Sequence, residues 1–280
     1  MHIMPAERLP EDGELRLGSA VLQGQRVRAA GGGKPEPEVA WATTGPVPGA
    51  GRIWLELSGL AVQTGLQPVL WSLRGIPWRS PQKAEQFEPP PGLAEIDGID
   101  GGAAVAQLWE ERAVDDGDEE SAEWVDDMIH PFSRDFPGLA ASVVEQRPAS
   151  ELTAVLDALP PLHLCLVPAD RPGDFLTAVG WATTEMWCDG HQPLLSAVLR
   201  SWEDRFGARL LQIGPGAELQ LLVSRPPRSG HEMLLAAAEL WAFGHAAWGG
   251  YSHADQSEAT TVEDIARTVV SQPIWGFWWD

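Results

Sequence analysis

Glu203, Asp204 and Arg205 form an unbroken block behind Trp202, Glu239 stands near Trp241, and Trp278, Trp279 and Asp280 make a third group. Carboxylates beside bulky aromatics can do acid–base chemistry. Burial raises the pKa of a carboxyl group toward neutrality, and an arginine alongside orients an anionic group. The same residues have a structural use: Arg205 can pair with Glu239 or Asp280 to anchor the chain end, while the tryptophans supply core area. A third use is an exposed aromatic surface rimmed by acids, since the chain holds 14 Trp against one Tyr. The candidate pocket is therefore Trp202, Glu203, Arg205, Glu239, Trp279 and Asp280.

Other reactive side chains make weaker constellations. Cys188 and His191, with Asp189 between them, have a spacing that can chelate a soft metal, and His163 with Cys165 can share a strand face. A buried strand with a satisfied His and a small apolar Cys explains the latter pair more simply, so no metal and no cofactor are expected. Ser229-Gly230-His231 places a Ser near a His without the elbow that would align them. Gly31-Gly32-Gly33-Lys34 has Arg28 where a phosphate loop starts and Pro35 where it needs a hydroxyl. The chain has no recognisable catalytic motif.

Charge restricts the partners. Forty acidic residues against nineteen basic ones give −21, which repels phosphate backbones and anionic lipid head groups. Nucleic acid and membrane are not expected as partners. Ten carboxylates and one base, Arg112, fall between Glu110 and Asp127, around Asp115, Asp116, Asp118, Glu119 and Glu120. That stretch reads either as a solvated loop or helix surface or as a face for a basic protein. Its glycine does not occupy the turning position of a calcium loop.

Elements that would position these residues can be read from periodicity. Val39–Thr43 and Pro68–Leu73 read as strands, and Arg52–Leu60 and Ala103–Arg112 as helices. The passage Pro131–Pro148 packs through Phe132, Phe136 and Leu139. Leu162–Val167 has the near-continuous apolarity of a central strand. Asp170 or Asp174 can cap a short helix carrying Phe175, Leu176 and Val179. Leu194, Val198, Trp202 and Phe206 mark an amphipathic helix closed by Gly207. A hairpin of Leu210–Ile213 and Leu219–Val223 follows, then helices over Glu232–Gly244 and Val262–Val270, and an aromatic strand, Ile274–Trp279.

Trp202-Glu203-Asp204-Arg205-Phe206-Gly207-Ala208, Arg225-Pro226-Pro227, Ala238-Glu239 with Ala242-Phe243, and Trp275-Gly276-Phe277-Trp278-Trp279-Asp280 resemble the bacterial domain-of-unknown-function family 4253. Upstream, Phe136-Pro137-Gly138-Leu139-Ala140, Val167-Pro168-Ala169 and Arg171-Pro172-Gly173-Asp174 resemble other stretches of the same proteins. Family members commonly carry a Glu-His pair and a Phe-Cys-Pro-Asp sequence in the penultimate helix, where this chain has Glu239-Leu240 and Phe243-Gly244-His245-Ala246. The resemblance implies a domain identity and no mechanism.

These observations predict an α+β fold of mixed sheets packed with helices, in two sub-domains. Residues 1–148 are an N-terminal α/β sub-domain with the acidic segment 110–127, and residues 149–280 a C-terminal α+β domain. With 44% apolar residues, a chain this long buries roughly 75% of its unfolded surface without a staple. Two cysteines and no leader-like start point to a reducing, cytoplasmic setting. Two function classes remain: a binding module of the antitoxin or immunity type that meets a basic protein, and an enzyme, such as a hydrolase, that uses the carboxylate and arginine pocket.

Overall fold

The structure is a computed structural model that describes residues 9–29, 36–72, 83–84, 87–113, 119–181, 191–214, 218–248 and 257–279. The N-terminal half provides β1 (Gly13–Leu17), β2 (Ala20–Ala29), β3 (Glu38–Thr43), α1 (Ala50–Thr64), β4 (Leu66–Trp71), β5 (Lys83–Ala84), α2 (Ala94–Asp97), α3 (Gly101–Arg112) and α4 (Glu119–Ile129). Then come α5 (Ala149–Asp157), β6 (His163–Pro168), a 3-10 turn (Pro172–Asp174), α6 (Phe175–Val179), α7 (Gln192–Phe206), β7 (Ala208–Ile213) and β8 (Leu219–Val223). The last elements are α8 (Gly230–Phe243), β9 (His245–Trp248), β10 (Ser257–Ala259), α9 (Val262–Thr268) and β11 (Ile274–Trp278).

The fold is α+β, and its strands join in one mixed sheet of order β1-β2-β3-β6-β4-β7-β8-β11-β9-β10, with β5 attached to β2. Pairing is parallel between β4 and β7 and between β2 and β5, and antiparallel elsewhere. Mixed sheets in two sub-domains were expected; the strands join in one sheet, in which β6 from the second half lies between β3 and β4 from the first. Trp41 opposes Leu166 on one side and Leu70 opposes Leu164 on the other. A boundary near residue 148 therefore does not divide the sheet.

The apolar side chains fall into two clusters, and these are the two faces of the sheet. Successive strand residues point to opposite faces, so in β6 Leu164 and Leu166 join Trp54, Leu57 and Leu156 on the α1/α5 face. Cys165 and Val167 join the opposite cluster with α3, α7 and α8. Burial on both faces is the reason β6 reads as a continuous apolar run. The larger cluster centres on Trp202, whose ring lies 4.8 Å from Phe243 and 5.7 Å from both Trp275 and Phe277.

Residues 136–148 form neither helix nor strand, yet the passage packs as expected. Phe132, Phe136 and Val143 lie against the larger cluster and Ala140 is buried in it, while Leu139 is partly exposed. No helix among the described residues is long and apolar enough to cross a membrane.

Candidate functional site

α7 begins with a proline in its first turn and stops at Gly207, the arrangement in which a missing N–H and a left-handed residue are both tolerated. Residues three apart share a helix face and adjacent ones do not. Trp202 and Arg205 consequently face α8, while Glu203 and Asp204 turn toward the 3-10 turn. The block that is contiguous in sequence divides into two sites.

At the first, Glu239 has no solvent exposure and Arg205 very little. Glu239 Oε1 accepts from Arg205 Nη1 at 2.7 Å and from the Ala140 N–H at 2.9 Å. Oε2 accepts from Trp202 Nε1 at 2.8 Å and from Arg205 Nη2. Arg205 Nη1 also donates to the Ala140 carbonyl at 2.9 Å, and Nε to Ser201 Oγ at 3.1 Å. Four donors occupy a carboxylate that offers about four lone-pair directions. A base needs a free lone pair in reach of its substrate, and this one has none. Arg205 does pair with Glu239, and the partners the pair holds are Trp202, Ser201 and Ala140 rather than the chain end.

The second site gathers Arg171, Asp174, Arg200, Glu203 and Asp204. Asp174 is fully buried and accepts from Arg200 Nε at 2.5 Å and from the Arg171 N–H at 3.1 Å; it precedes α6, as one of the two capping candidates, but its side chain closes the 3-10 turn and makes no capping bond to that helix. Arg171 reaches Glu203 at 3.1 Å and Asp204 at 2.7 Å, and Arg200 reaches Asp97 at 2.8 Å. Gly173 permits the approach, since a Cβ there would lie 2.7 Å from the Arg200 backbone nitrogen. Burial raises the Glu203 carboxyl above the ordinary glutamate range, against the opposing pull of Arg171. Burial likewise lowers the guanidinium of Arg209. Arg225 donates to the carbonyls of Glu203 and Asp204 at 3.1 and 2.8 Å, satisfying the last turn of α7.

The other proposed members of the pocket are elsewhere. Trp279 is buried, packs on Trp181 and Phe243, and donates to the Phe243 carbonyl at 2.9 Å; Asp280 lies outside the described residues. Trp241 meets Trp109 edge to face at 5.0 Å, and the Arg112 guanidinium lies over its ring. His163 Nδ1 contacts the Thr43 carbonyl at 2.9 Å. Burial pushes the Cys165 thiol up to about 12, which leaves it without thiolate character. Cys188 and Asp189 fall outside the described residues, as do Gly31, Gly32, Gly33 and Lys34. Ser229 caps α8 by accepting from the Glu232 N–H at 3.3 Å, a sufficient reason for a serine beside His231. Among the described residues no three His, Cys, Asp or Glu side chains gather as metal ligands do.

The acidic segment has a different character. Glu110 to Arg112 end α3, Asp115, Asp116 and Asp118 lie outside the described residues, and Glu119 and Glu120 open α4, their side chains likewise outside them. Val125 and Ile129 turn α4's apolar stripe inward. Trp124 falls off that stripe, 55% exposed, with Glu123, Asp126 and Asp127 exposed around it; Asp126 pairs with Arg134 at 2.9 Å. It is the one exposed tryptophan among the described side chains. Sequence reasoning passed over Trp124, although spacing it against Val125 and Ile129 puts it on the acidic side.

Residues 163–280 match the family described as "Domain of unknown function (DUF4253)", the family that the chain's motifs resemble. No curated protein and no solved structure matches the chain. The motif residues Arg171, Trp202, Arg205, Arg225 and Glu239 are among those that cross-link α7 to its neighbours.

Proposed function

We propose that the chain is a protein-binding module of the antitoxin or immunity type that recognises a basic protein through the acidic segment 110–127. The exposed indole of Trp124 carries the reading. Tryptophan is enriched among residues that dominate binding energy, and a surrounding field of carboxylates accelerates encounter with a cationic partner. A net charge of −21 disfavours nucleic acid in the same role. What supports this reading over hydrolysis is the state of the interior carboxylates: Glu239 is saturated with donors and Glu203 is held by Arg171. The setting that fits is reducing and cytoplasmic, since Cys165 is an unpaired buried thiol.

The test is kinetic. A protein captured from the native cell associates with wild type at a rate that falls steeply as salt passes about 0.15 M, where screening acts over about 8 Å. A variant with Asp115, Asp116, Asp118, Glu119 and Glu120 changed to Asn or Gln associates more slowly and responds weakly to salt. An unchanged rate across the salt series makes the segment a solvated surface only. A small molecule bound near Arg205 instead puts the enzyme reading in its place.

A further inference from the structure

Residues 136–147 lie along α7 and α8 as a strap, held by bonds to their backbone and by Phe136, Ala140 and Val143 packed in or against the core. Glu239 accepts the Ala140 N–H while Arg205 donates to the Ala140 carbonyl, each at 2.9 Å, so one residue is gripped on both its peptide groups. Glu232 Oε2 accepts the Ala141 N–H at 2.5 Å. The Arg205 carbonyl accepts the Val143 N–H at 3.0 Å, and the Ser224 carbonyl the Arg147 N–H at 2.8 Å. Ala140 enters the core, whereas Val144 is 89% exposed and Leu139 38%. Arg147 anchors the far end, its side chain bonded to Glu151 and to the Ser271 carbonyl.

Main-chain bonds with a pocket for a small side chain are how proteins recognise extended peptides of varied sequence. We infer that the groove between α7 and α8 is a binding site for an extended peptide with a small residue at the Ala140 position, and that this chain's own strap fills it in cis. The gripping side chains, Arg205, Glu232 and Glu239, belong to the matched stretch 163–280; the strap lies outside it. A segment of another chain enters only when the strap leaves, so its apparent affinity is scaled by the fraction of molecules with the groove open.

The probe is a labelled synthetic peptide of residues 136–147, added to the full chain. Ala141→Pro with Val143→Pro deletes two N–H donors while keeping the backbone extended. This double variant is expected to bind the peptide at least about tenfold tighter than wild type, and adding Glu232→Gln to reverse part of the gain. A double variant that melts cooperatively and binds no peptide overturns the inference. Hydrogen exchange of wild type gives a second readout that does not depend on the variant folding. Amides of Ala140, Ala141 and Val143 that exchange well before those of β6 and β7 support an opening strap; amides that exchange together with β6 and β7 make the strap an integral part of the core and overturn it.

Discussion

At the junction of α7 and α8, Trp202 donates to Glu239 with neither side chain touching water, whereas on α4 Trp124 stands among Glu123, Asp126 and Asp127 with more than half its surface in solvent. Composition is nearly the same in the two regions. What differs is the supply of donors from other elements. Arg205 and the Ala140 N–H converge on Glu239 and allow its burial. Around Trp124, Asp126 pairs with Arg134 at the surface. An acid beside an aromatic can be buried where donors from several elements converge on it, as at Glu239, whereas a single guanidinium leaves Asp126 at the surface.

The comparison can be broken most forcefully at the aromatic end of the sealed region. Phe277, Trp278 and Trp279 are buried, and truncating one buried aromatic costs about 3–5 kcal/mol, against a total stability of about 5–15 kcal/mol. A chain lacking Phe277 to Asp280 is expected to show no cooperative transition by circular dichroism; the melting temperature of the full chain would make the tail peripheral. Next in size is Glu239→Ala, which leaves Arg205 without its counter-charge and the Trp202 and Ala140 donors unmet. Urea unfolding should show a loss of about 3–5 kcal/mol, and a loss under about 1 kcal/mol would mean that the pair is not the anchor its geometry describes.

Trp124→Ala tests the open region and should behave in the opposite way, changing stability by no more than about 0.5 kcal/mol while weakening the captured partner by at least about 2 kcal/mol. A large loss of stability would show that this indole belongs to the core. The smallest expected effect concerns Glu203. Its carboxyl holds a proton more tightly folded than unfolded, so its contribution is fully present below the ordinary glutamate pKa and is lost as pH rises through the raised folded value. Glu203→Gln should flatten that decline in a pH series of urea midpoints. A slope identical to wild type would place the titration on another group.

How much of this was legible depends on what each element buries. α7 showed plainly through apolar residues at helical spacing, and β6 and β11 through near-continuous apolar runs of strand length. The β1/β2 hairpin did not. In β2 the inward positions Ala20 and Gly24 are small and outward Val21 is apolar, so the alternation that Leu22 and Val27 follow is blurred in sequence. Gly24 is small because Trp41 lies across it, where a Cβ would come within 2.4 Å of the indole. α5 buries only Leu156 and leaves little periodicity to see. In the site, the Arg205–Glu239 pair was one of the alternatives the residues themselves offered. The attachment of Glu203 to Arg171 depends on a turn and a helix meeting in space, which spacing along the chain does not encode.

The position of β6 has a consequence for synthesis of the protein. Strands β3 and β4 leave the ribosome long before β6, yet in the finished sheet they do not touch; β6 separates them and pairs with both. Until that strand arrives, each presents a row of N–H and C=O groups on the edge that will face it, and such edges accept strands from other chains as readily as their own. The nascent protein thus passes through a stage with an open slot one strand wide, closed only after residue 168 has emerged. Aggregation during translation should concentrate in that interval, and a chaperone that holds extended segments would find its binding site there.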